Sequence, residues 1–76
     1  MGSFTDYMEG ADRFEAERAL TALGYLMGWE PKDIAVMPLE QIAAAIKQHS
    51  LLPTAAWSIG RFAGMIKMIA REQNAT

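Results

Sequence analysis

The sequence predicts an all-α fold, a small bundle of four to five helices closed by a long C-terminal helix. Three observations predict it. Apolar residues recur at helical spacing in three separate stretches. The β-branched residues are scattered, and no Asn-Gly or Asp-Gly turn marks a hairpin. Pro31, Pro38 and Gly28 stand where helices should start or stop. One domain, 1–76, holds all of it, because a 76-residue chain that is 51% hydrophobic has enough apolar surface for one core and little more.

The first ten residues set a boundary problem. If helical, Phe4, Tyr7, Met8 and Ala11 share one face, whereas Ala16, Ala19, Leu20, Leu23, Leu26 and Met27 share another, rotated by about a third of a turn. One straight helix cannot bury both against a flat surface. Gly10 precedes the shift, and Asp12 with Glu15 has capping-box spacing, so residues 1–10 are expected to form an arm or short helix, with a longer helix from Asp12 to Met27. Gly24 inside that helix costs about 1 kcal/mol against alanine and suggests a close approach. Gly28 should end it.

Glu30-Pro31 then opens a helix of one or two turns that Pro38 closes. From Pro38, Leu39, Ile42, Ala43 and Ile46 give an amphipathic helix of about ten residues ending at Lys47-Gln48-His49-Ser50. The long last helix is expected from Pro53 to Gln73, with Thr54 or Ser50 as its N-cap. Its stripe of Ala55, Ile59, Phe62, Ile66 and Ile69 belongs to the core.

A second side of that helix is apolar too. Gly60 and Gly64 are small residues four apart, and Trp57, Met65 and Met68 run beside them with Arg61. A helix apolar on more than one side is central to its domain or has a partner. Trp57, Gly60, Arg61, Gly64, Met65 and Met68 are therefore the expected partner or dimer interface, joined by Phe4, Tyr7 and Met8 on the arm.

The chain is poor in chemistry. It has no cysteine and one histidine, which removes disulfides and thiolate sites. His49 is expected to be solvated at a helix end, and no His-x-x-x-His, Glu-x-x-His or Asp-rich loop offers metal ligands. No Gly-rich loop follows a strand to cradle a phosphate. An enzyme is not expected, nor a cofactor. Since Met1 to Gly10 lacks a signal-peptide pattern, position 6 is Asp6 where myristoylation needs Ser or Thr, and no apolar run approaches a membrane span, a soluble cytoplasmic protein is expected.

The net charge of −2 is unevenly placed. Through Glu40 eight acids stand against three bases, net −5; from Gln41 four bases stand against one acid, net +3. The two halves should attract each other. The segment from Pro38 to Met68 also reads as helix, turn, helix, with Thr54, Trp57, Ser58 and Arg61 early on a recognition helix. Phosphate neutralisation needs clustered bases, however, and Arg61, Lys67 and Arg71 are spread along the helix. The Leu26-Met27-Gly28-Trp29 turn resembles the Met-Gly-Phe turn of ubiquitin-associated domains, but Pro38 breaks the helices that follow, and no family is assigned. The expected function is protein–protein interaction: a small regulator, inhibitor or adaptor of bacterial or phage type, working as a homodimer. Nucleic-acid binding is the alternative.

Overall fold

The helical signals resolve into four helices in a computed structural model, which describes residues 3–54 and 57–75, with side chains from Asp12 onward. They are α1 (Ser3–Met27), α2 (Pro31–Ala35), α3 (Leu39–Gln48) and α4 (Ile59–Ala75). Among the described residues there is no strand. No described helix is long and apolar enough to cross a membrane.

The all-α expectation holds, and so does the central place of the last helix. α4 packs against each of the other three. It buries Phe62, Ala63, Ile66, Ile69 and Ala70, the stripe at i, i+4, i+7 and i+8 that helical periodicity requires. Opposite it, α1 contributes Ala16, Ala19, Leu20 and Leu23, α2 contributes Ile34 and Ala35, and α3 contributes Ile42, Ala45 and Ile46. No charged or polar residue is buried among the described residues. The core is apolar throughout.

Two expected boundaries are corrected. α1 runs unbroken through Gly10 and Asp12, so no new helix starts at Asp12. One glycine costs only about 1 kcal/mol, too little to end a helix whose later turns are held by packing. α4 begins at Ile59, not at Pro53. Its cap is Ser58, whose Oγ accepts the N–H of Arg61 at 3.4 Å while its carbonyl accepts the N–H of Phe62 at 3.0 Å. Pro53 and Thr54 lie in the preceding loop, where Trp57 N–H donates to the Thr54 carbonyl at 3.2 Å.

The short elements are as expected and their caps explain them. Pro31 occupies the first turn of α2, and the Glu30 N–H donates to Asp33 Oδ2 at 2.9 Å, so Glu30 is its N-cap. Arg71 Nε of α4 donates to the Ala35 carbonyl at 3.3 Å, closing the C-terminal end of α2. Near Gly24 the Trp29 carbonyl would lie 3.5 Å from an added Cβ, ordinary contact.

Two helix ends use left-handed backbone. Gly28 takes φ 72° after α1. Ser50 takes φ 54° after α3, with Leu51 N–H donating to Ile46 O at 2.9 Å and Ser50 N–H to Lys47 O at 3.3 Å, a Schellman ending with serine where glycine is usual. A side chain costs roughly 1–2 kcal/mol in that conformation. Gly28→Ala, whose Cβ would meet nothing within 4 Å, should therefore lower stability by about 1 kcal/mol for conformational reasons alone. Ser50→Gly should hold stability or raise it by up to about 1 kcal/mol. Thermal melts followed by circular dichroism read both: the midpoint should fall for Gly28→Ala and should not fall for Ser50→Gly.

Candidate functional site

The outer side of α4 starts with its small residues. Gly60 is exposed and Gly64 half-buried, and among the described residues nothing packs on either: a Cβ at Gly64 would find nothing within 4 Å, and one at Gly60 would meet Ser58 Oγ at 4.0 Å. Met65 is half-buried, whereas Met68 is 51% exposed. With Arg61 from α4 and Arg13 from α1 they line a shallow cleft of about 250 Å³. Two thioethers and two guanidiniums line it.

Trp57 is not part of that face, and here the sequence-based placement is corrected. Because α4 starts two residues later, Trp57 sits in the loop and its half-buried ring meets Phe62 edge to face, with centroids 5.1 Å apart and planes at 63°. Arg61 lies over the indole, its guanidinium carbon 5.6 Å from the ring centroid. The tryptophan thus links the core to a residue that lines the cleft. Phe4, Tyr7 and Met8 lie on the first turns of α1, and their side chains fall outside the described residues.

The long-range ion pair joins Arg13, a base of the acidic half, to Glu72, the single acid of the basic half, while Glu17 holds Arg13 from one turn away at 3.2 Å. Hydrogen bonding and then charge from Arg13 hold the Glu72 carboxyl below its usual range, and the same contacts raise Arg13. A carboxylate depressed on folding stabilises the fold above its unfolded value, and that contribution disappears as pH falls through the folded value. Replacing Glu72 by Gln should therefore lower the melting temperature slightly at pH 7 and make no difference at pH 2 to 3. Paired melts across pH 2 to 7 test this; a gap that persists in acid would assign the effect to something other than the ion pair.

His49 is also corrected. It is the C-cap of α3, half-buried, and its Nε2 is occluded without a hydrogen-bond partner among the described residues. No group of three His, Asp or Glu side chains that could hold a metal occurs among the described residues. What the sequence-based reading missed is the exposed aromatic surface of α1. Phe14 is 58% exposed with Arg18 5.9 Å from its ring centroid, Tyr25 is 87% exposed, and Leu26, expected on the core stripe, is instead 50% exposed because its position on the helix turns it toward the Tyr25 side. Their helical spacing was the available signal.

Comparisons with protein-family models, with curated proteins and with solved structures found no match.

Proposed function

We propose that the chain is a non-catalytic protein-interaction module, a small regulator, inhibitor or adaptor that works as a homodimer and docks another protein on the outer side of α4. The cleft lined by Arg13, Arg61, Met65 and Met68 carries this reading. Methionine presents an adaptable apolar surface, and Arg61 supplies a charge that no acid neutralises among the described residues, since Arg13 takes both Glu17 and Glu72. A partner that fits has an aliphatic or aromatic anchor flanked by acids.

The helix-turn-helix alternative has less to support it. A turn of three or four residues defines that motif, whereas 49–58 separates α3 from α4. Thr54, Trp57 and Ser58 precede α4, leaving Arg61 alone on the supposed recognition helix. The test compares two ligands. Immobilised wild-type chain should retain from a host lysate a protein that Met68→Asp and Arg61→Glu chains do not retain, and a 20-bp duplex at low salt should bind weakly at most. Sub-micromolar duplex binding that falls steeply with salt would replace this reading with the nucleic-acid one.

A further inference from the structure

The unbroken course of α1 changes what its second apolar stripe is. Had the helix ended at Gly10, Phe4, Tyr7, Met8 and Ala11 would belong to a separate arm. In a single helix from Ser3 to Met27 they continue in register as Glu15, Arg18, Ala22, Tyr25 and Leu26, one face about a third of a turn from the buried Ala16, Ala19, Leu20 and Leu23. At 1.5 Å per residue α1 is about 37 Å long, close to the 39 Å length of the whole molecule, and that face runs along about 33 Å of it. Its described aromatic end is open to solvent, with Tyr25 87% and Leu26 50% exposed. Ser50 to Pro53 stand alongside, across a cleft of about 290 Å³ from Glu15, Arg18 and Ala22, where Glu15 and Ala22 are half-buried and Arg18 is exposed.

The pattern along this face is self-complementary. Glu15 and Arg18 lie one turn apart near its middle, and neither has an ion-pair partner among the described residues. Run antiparallel to itself about a two-fold axis between them, the helix sets Glu15 opposite Arg18 twice over. The same register sets residue 11 opposite residue 22, alanine against alanine, which allows close approach. Beyond these, 8 comes opposite 25 and 7 opposite 26, so both ends pair apolar with apolar. A parallel arrangement would oppose like charges. Such reciprocity is what an isologous interface requires.

We infer that a second copy of this chain docks antiparallel along the face of α1 that carries Glu15, Arg18, Ala22 and Tyr25, with reciprocal Glu15–Arg18 ion pairs at the two-fold axis. The inference rests on the homodimer in the function proposed above and names its interface and register.

Sedimentation velocity at about 100 µM tests it, with circular dichroism confirming that each variant is folded. Wild type should sediment as a dimer. Tyr25→Lys, at a position too exposed to matter for the fold, should sediment as a folded monomer. Glu15→Arg and Arg18→Glu should each weaken the dimer about tenfold or more, and the two combined should recover most of that loss, which a merely structural effect would not do. The chain's lack of cysteine permits a test of register. Oxidised Ala11→Cys/Ala22→Cys should form a covalent dimer, whereas Ala22→Cys alone should not, its two copies lying about 16 Å apart along the axis. A monomeric wild type overturns both this interface and the homodimer. A dimer insensitive to Tyr25→Lys but dissociated by Gly64→Leu overturns this interface, moves the contact to α4 and leaves the homodimer standing.

Discussion

Phe62→Ala should unfold most of the chain at room temperature or bring it to the edge of unfolding. Phe62 is fully buried in α4 and is among the largest of the fully buried side chains. Removing such a ring costs roughly 3–5 kcal/mol, lost transfer energy plus the cavity left behind. A domain of this size has a total stability of about 5 kcal/mol or a little more. The loss is therefore comparable with the whole. Ile66→Asp, which would bury a charge where no polar residue is buried among those described, should act at least as strongly. The control is Met68→Ala at the half-exposed cleft, expected to move stability by about 0.5 kcal/mol or less. Urea unfolding followed at 222 nm compares the three. A Phe62→Ala chain with a midpoint near wild type would mean that α4 is not the centre of the core.

The core stripe of α4 was legible in the sequence because its period is unambiguous: Phe62, Ala63, Ile66, Ile69 and Ala70 fit one helical face and no strand face. The same holds for the prolines. Pro31 and Pro38 are compatible with few backbone geometries, so α2 and α3 could be placed nearly to the residue. The start of α4 was not legible, since Thr54 and Ser58 are both acceptable caps and the apolar period extends backward from Ile59 through Ala55. What distinguishes them is tertiary. The Schellman turn at Ser50 sends Leu51 and Leu52 along the core, and the chain has not finished that crossing by Pro53. Serine in a left-handed turn gives little warning of this, where glycine would have given more. The continuity of α1 was not legible. A stripe that rotates by a third of a turn argues for a break only if every apolar residue must enter the chain's own core. Gly60, Arg61, Gly64, Met65 and Met68 all lie on α4, as their spacing predicts, while Trp57 lies outside it because the helix starts only at Ile59.

Trp57 therefore offers the sharpest comparison between the two placements. Were it a surface residue on an outward helix face, Trp57→Ala would change the stability of the chain by about 0.5 kcal/mol or less and would act on partner binding alone. In the folded chain it is half-buried in the loop before α4, packed on the core with its ring edge to face with Phe62 and Arg61 over the indole. Edge-to-face aromatic pairs contribute roughly 0.5–1.5 kcal/mol beyond the area they bury, and a cation over an indole adds about 0.5–1 kcal/mol at an exposed site. With the buried part of the ring included, the expected loss is about 2–3 kcal/mol. The two contacts can be separated. Arg61→Ala removes the cation and should cost under about 1 kcal/mol, and Phe62→Leu keeps the core filled while removing the aromatic partner. In a double-mutant cycle Trp57→Ala should couple to both substitutions, more strongly to Phe62→Leu than to Arg61→Ala. Equilibrium unfolding in urea measures all of these. If Trp57→Ala leaves the midpoint unchanged, the loop does not hold the indole on the core and the outward placement is restored.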